Sequence, residues 1–214
     1  MFLTASSAYG AVKAGSGEGS MVLVASWIAV KPSSKVTVFK RLGLADLREP
    51  VAFQLAAPAY LELDEDWLVI VDCYPSTDVM QVLSQEGWAL ACLADEPGRV
   101  SLAQGFQRGA LCWSVMYDEE EGPRGLEAQG SPPRDFAALA DNVMQEAADA
   151  RRAGRDSNAL FNAPIELAGR ECGFWPDPER MASAIMTRLK PAPRRTSSLR
   201  MRMAAAGANL FGRF

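Results

Sequence analysis

Not one histidine occurs among the 214 residues. That absence removes Ser-His-Asp and Cys-His catalysis, H-E-x-x-H metal sites and any histidine general base. It also removes the usual side chain for pH switching near neutrality. Catalysis would have to rest on carboxylates, Lys, Tyr or a thiolate. Long apolar runs are missing too. The longest, from Val22 to Val30, is interrupted by Ser26 and falls far short of the roughly 20 residues that cross a bilayer. There is no C-x-x-C pair: Cys73, Cys92, Cys112 and Cys172 stand far apart in apolar contexts, as buried free thiols of a reducing compartment do. A zinc site would have to gather ligands from four distant elements without histidine, so no metal is expected. Residues 1–20 lack the positive start and sustained apolar stretch of a secretion signal. These absences together predict a cytoplasmic protein.

Acidic residues are absent after Glu179. From Arg188 to Phe214 there are seven positive side chains and no negative one, whereas residues 21–187 carry 14 basic and 25 acidic residues, a net of 14 − 25 = −11. The overall charge of −4 thus combines an acidic body with a +7 end. Such asymmetry points to an interaction function.

Gly15-Ser16-Gly17-Glu18-Gly19-Ser20 reads as a flexible linker, which makes residues 1–20 an extension and Met21 a candidate natural start. Residues 21–190, the 170 left once the ends are set aside, suffice for one well-buried core. Val22 to Val30 is a buried strand by its β-branched and aromatic content. Ser33 or Ser34 then caps a helix with Val36, Phe39 and Leu42 inward, ended by Gly43. Val51 to Leu55 reads as a short strand, Leu61 to Asp66 as an acidic turn, and Trp67 to Cys73 as a strand. Ser76 or Thr77 opens a helix carrying Val79, Val82 and Leu83 that Gly87 closes.

The clearest β pattern follows. Trp88–Ala94, Val100–Phe106, Ala110–Tyr117 and Leu126–Gln129 are short strands separated by turns at Glu96-Pro97-Gly98, Gln107-Arg108-Gly109 and Glu121-Gly122-Pro123. In the third of these, Leu111, Trp113, Val115 and Tyr117 share a bulky face, opposite small and semi-polar Ala110, Cys112, Ser114 and Met116. Pro133 starts a long helix with Phe136, Leu139, Ala140, Val143, Ala147 and Ala148 at helical spacing. Shorter helices are expected over Pro164–Glu171 and from Pro178 to about Arg188. The expected fold is α+β, a single mainly antiparallel sheet of six or seven strands with helices packed on it.

Four segments occur in order: Trp113-Ser114-Val115-Met116-Tyr117-Asp118, Gly130-Ser131-Pro132-Pro133, Leu160-Phe161-Asn162-Ala163-Pro164-Ile165-Glu166-Leu167-Ala168 and Gly173-Phe174-Trp175-Pro176-Asp177. The arrangement resembles a family of small uncharacterised bacterial proteins with W-S-V-x-H-D, G-x-P-P, F-D-I-P-x-x-L-A and G-F-x-x-D. Tyr117 stands where that family has histidine, and Pro176 where it tends to have another. The resemblance spans Met21 to Asp177 and implies a fold and a bacterial origin; it implies no particular activity.

Trp113, Tyr117, Asp118, Trp175 and Asp177 are candidates for a polar-aromatic binding site, since aromatics offer contact area and carboxylates directional acceptors. Each also has a structural role open to it, in the core, at a strand end or as a cap. Glu119 and Glu120 extend the acidic run after Asp118. That run lacks EF-hand spacing and reads as a solvated loop or a contact for a basic protein. Beyond Pro191, Arg194 and Arg195 lead to Leu199, Met203, Ala206, Leu210 and Phe214 at spacings of four, three, four and four, flanked by Arg200, Arg202 and Arg213. Residues 191–214 read either as a disordered basic tail or as a conditional amphipathic helix, which docks in a partner groove, lies on an anionic membrane, or folds back on the acidic loops. The acidic body argues against nucleic acid. No G-x-x-x-x-G-K-[ST] follows the N-terminal glycines, and no cofactor is indicated. The expected role is non-catalytic protein binding (an adaptor, regulator or toxin-neutralising protein), with residues 191–214 as a docking tail. The alternatives are an enzyme working near Tyr117-Asp118 and a peripheral membrane-surface protein.

Overall fold

All four strands expected between Trp88 and Gln129 form a meander in the computed structural model, which describes residues 24–31, 34–177 and 179–192. They are β5 (Trp88–Asp95), β6 (Val100–Gln107), β7 (Ala110–Asp118) and β8 (Leu126–Gly130). The β6–β7 turn places Arg108 at φ 51° and Gly109 at φ 79°. Two successive residues with positive φ match the right-handed twist of the joined strands.

Before the meander come β1 (Val24–Val30), α1 (Lys35–Leu42), β2 (Leu44–Ala52), β3 (Ala59–Glu62), β4 (Leu68–Val71) and α2 (Thr77–Leu83). After it come α3 (Phe136–Arg152), α4 (Ala159–Cys172) and β9 (Ile185–Pro191). The sheet is antiparallel throughout, with nine strands in the order β2-β9-β3-β4-β1-β5-β6-β7-β8. The fold is therefore α+β as read, but the expectation of six or seven strands is corrected.

The largest correction is β9, where a helix was expected. Met186 and Leu189 are both buried, but on opposite faces of the sheet: Met186 joins the core beneath α4, and Leu189 joins the core beneath α1 and α2. A strand covered on both faces loses its alternating pattern. Its buried residues three apart then imitate one face of a helix. Because β9 inserts between β2 and β3, the C-terminal end of the body completes the middle of one half of the sheet. It runs through Pro191, paired with Leu44, and Ala192 N–H donates to the Gly43 carbonyl at 2.7 Å. The boundary drawn near residue 190 thus falls inside a strand.

Smaller differences have local causes. α1 ends at Gly43, left-handed at φ 66°, as expected, but Val38 and Phe39 are buried while Val36 points outward at 70 % exposure. β2 begins immediately after Gly43 and covers only the start of the strand expected at Val51–Leu55. α4 starts five residues before Pro164, because Ala159 and Phe161 extend its buried face upstream. In β7 the alternation breaks at a bulge opposite Gly105 and Phe106. Leu111, 42 % exposed, then pairs with Phe106 of the α1/α2 core, while Cys112 packs towards the α4 core. An extra residue in one strand shifts side-chain direction in this way.

Two cores result. One lies between the sheet and α3/α4, around Trp27, Trp113, Phe161 and Phe174; the other lies beneath α1 and α2, around Ile28, Ile70 and Phe106. Among the described residues no helix is long and apolar enough to cross a membrane.

Cys92 and Cys172 are buried and Cys73 and Cys112 half-buried, all four free. Burial pushes the Cys73 and Cys172 thiols up to about 12, and the Cys92 thiol higher still. Since the thiolate is the reactive form, brief alkylation of the native protein at neutral pH should modify Cys112 first. Peptide mapping checks this; Cys92 or Cys172 labelling before unfolding would contradict the packing.

Candidate functional site

The sequence candidates divide between the two ends of α4. Tyr117, near the end of β7, is 5 % exposed and meets Phe161 edge-on at 6.5 Å, in the first turn of α4. Trp175 follows the other end, its ring lying against Gly169. Eight residues of helix separate Phe161 from Gly169, about 12 Å of rise. Trp113 lies four residues back along β7 from Tyr117, about 13 Å away. Its indole covers Gly105 of the neighbouring strand and is 2 % exposed. These positions do not assemble into one pocket.

Each carboxylate has an assigned local task. Asp118 Oδ1 accepts a bond from the Glu120 N–H at 2.9 Å, turning the chain out of β7. Asp177 Oδ1 accepts from the Glu179 N–H at 2.8 Å, and its Oδ2 lies 3.8 Å from Nε of Arg180, whose guanidinium covers the Trp175 ring at 4.4 Å. This clasp holds the chain as it leaves α4 for β9. Asp177 therefore closes a turn, not the helix anticipated there. Glu120 is exposed. Residues Arg194, Arg195, Leu199, Arg200, Arg202, Met203, Leu210 and Phe214 lie outside the described residues, as do residues 1–23 with the linker and Met21.

Reasoning from sequence missed the group that joins the Tyr117 end together. Arg99, in the β5–β6 turn at φ 53°, donates through Nε to Glu119 at 3.1 Å and through Nη1 to Asn158 Oδ1 at 2.7 Å. Its guanidinium lies 5.8 Å from the Phe161 ring centre. Ser101, fully buried, donates to the Phe161 carbonyl at 2.6 Å. Burial raises the Tyr117 phenol above its ordinary pKa, Glu119 adds to that rise, and Arg99 opposes it. A neutral buried phenol beside an arginine that also holds Glu119 and Asn158 is a packing element at neutral pH. The network ties the β5–β6 turn, the end of β7 and the start of α4 into one unit. A double-mutant cycle on Arg99→Ala and Glu119→Ala should give a coupling of about 0.5–1 kcal/mol that shrinks in high salt, since Glu119 is half exposed. Zero coupling in chemical denaturation would reject the link. Only the turn before Arg99 had a sequence signal; its partners lie 20 and 59 residues away.

A polar recess of about 530 Å³ lies between the second half of α3 and the loop into α4, lined by Asn142, Glu146, Asp149, Arg155, Asp156 and Asn158. Its groups bond one another: Gln145 donates to Asp149 at 3.1 Å and Ser157 to Glu146 at 3.5 Å. Among the described residues no group of three or more His, Cys, Asp or Glu could hold a metal ion.

The surface least accounted for by packing is on the opposite side of the meander. Ser26, Leu93, Leu102, Met116 and Glu127 are in register across β1, β5, β6, β7 and β8, so their side chains form one row. The adjacent row holds Val24, Asp95, Val100 and Asp118. Both rows share the face occupied further down by Ile28, Ala89 and Ala91, which α2 covers through Met80 and Leu83. Leu93, Leu102 and Met116 are half-buried and belong to neither core. The result is an apolar strip edged by Asp95, Asp118 and Glu127. Its Met116 side is the small semi-polar face of β7 visible in the sequence.

The fold and this strip define an α+β protein whose antiparallel sheet is covered by helices on one side and only in part on the other. Comparisons of the chain with protein-family models, curated proteins and solved structures return no match.

Proposed function

We infer that the protein is a non-catalytic binding module that docks a basic, apolar segment of a partner protein on the uncovered strip of its sheet. The observation that carries this reading is the row Leu93–Leu102–Met116, left outside both cores and edged by carboxylates. Apolar contact would supply the driving force, and the acidic edge would select positive partners and speed encounter. The enzyme alternative at Tyr117-Asp118 is weaker: Tyr117 is packed and Asp118 is engaged by the Glu120 N–H.

Affinity capture from the source cells with the full chain, followed by titration of the purified partner, tests the reading. Leu102→Asp should weaken that partner at least about tenfold, or about 1.4 kcal/mol, with far-UV dichroism unchanged. Equal affinity of the wild type and the Leu102→Asp chain would remove the strip as the binding surface.

A further inference from the structure

We propose that the chain's own segment 203–214 seats on this strip and competes with the partner for it. The inference rests on the reading of the strip as a docking surface and adds its regulation.

Position permits it. β9 ends at Pro191 beside Leu44, at the same end of the sheet as Val24, Asp95 and Asp118, and on the α1/α2 side, since Pro191 and Leu189 point alike. From β9 to β6 there are five strand intervals, roughly 24 Å at about 4.8 Å each. The twelve residue-to-residue steps from Pro191 to Met203 can span up to roughly 40 Å. Length matches as well. At helical spacing, residues 203–214 extend about 17 Å, against about 19 Å from β1 across to β8.

Chemistry agrees with geometry. Met203, Ala206, Leu210 and Phe214 repeat every three or four residues, facing an apolar row of Leu93, Leu102 and Met116. Arg200 and Arg202 precede the segment and Arg213 lies within its last turn's length; Asp95, Asp118 and Glu127 flank the strip. After Glu179 the sequence has no carboxylate to oppose this pairing. Tethering raises the local concentration of the segment, so modest contacts suffice for occupancy.

Methyl NMR on the full chain, labelled at Met and Leu, tests the proposal with two variants, Arg200→Glu/Arg202→Glu and Leu210→Asp/Phe214→Asp. Relative to wild type, the methyls of Leu93, Leu102 and Met116 should shift in both variants. Those of Met80 and Met186, buried away from the strip, should not. A synthetic peptide of residues 199–214 should bind the Leu210→Asp/Phe214→Asp chain about tenfold more tightly than wild type, whose strip is already occupied. Unchanged strip methyls in both variants would overturn self-docking. So would shifts that vanish on dilution of the wild type, which would place a second copy on the strip. Neither outcome touches partner binding measured with Leu102→Asp, so the two readings fail separately.

Discussion

Gly130→Ala is expected to destabilise the protein by about 3 kcal/mol or more, lowering the urea midpoint at unchanged m-value. Gly130 has φ 77°, in the left-handed region that an added Cβ makes costly. A Cβ built there would lie 2.1 Å from the Cys112 carbonyl oxygen and 3.0 Å from its carbon. Backbone cannot rotate aside as a side chain can. That oxygen also accepts the Ser131 N–H at 2.9 Å, which closes the chain against β7 before it turns towards α3. Relief of the clash would open this closure and the Trp113–Gly130 pair. Gly154 provides the control: it has φ 65° with nothing within 4 Å of its Cβ position, so Gly154→Ala should cost only about 1 kcal/mol. Similar losses at the two positions would show that close approach is not what demands glycine at 130. The Gly130-Ser131-Pro132-Pro133 segment then has a backbone reason for its first residue, independent of any ligand.

Trp113→Ala should cost about 3–5 kcal/mol, a large part of the stability of an ordinary domain of about 5–15 kcal/mol. The indole is 2 % exposed and occupies the space over Gly105, where an added Cβ would lie 2.1 Å from Nε1. Deleting the ring leaves a cavity in the α4-side core that neighbouring strands cannot collapse into, because their backbone pairing holds them apart. Trp113→Phe should retain part of the loss. The measurement decides between packing and recognition. A recognition residue at the surface would lose partner affinity at nearly constant stability. A packed one lowers the thermal midpoint and alters near-UV dichroism, whatever happens to binding. A Trp113→Ala chain within about 1 kcal/mol of wild type would contradict its placement in the core.

Several elements were legible because their causes are local. The meander from Trp88 to Gly130 announces itself by short β-branched and aromatic runs and by turn residues at the joins. α1 ends at a glycine with positive φ, as a helix C-terminus prefers. The semi-polar face of β7 could be read from period-two alternation, and Met116 on that face lies in the uncovered row. That face, not the aromatic residues beside it, carries the proposed function. Aromatic size drew attention to Trp113, Tyr117 and Trp175, yet size serves packing as readily as recognition.

What the sequence alone determined is the composition of the molecule: an acidic body, a basic end, an antiparallel meander, and the exclusion of histidine chemistry. These follow from residue identities and short spacings, which need no fold to be read. Tertiary structure decided the rest. It made a strand of Ile185–Pro191, because burial on both sheet faces erases the alternation that marks a strand. It placed Tyr117 and Trp175 at opposite ends of one helix, and joined Arg99 to Asn158 across 59 positions. It also left Leu93, Leu102 and Met116 outside both cores. Whether an apolar residue is core or contact surface depends on what packs above it, and that is a property of the assembled layers.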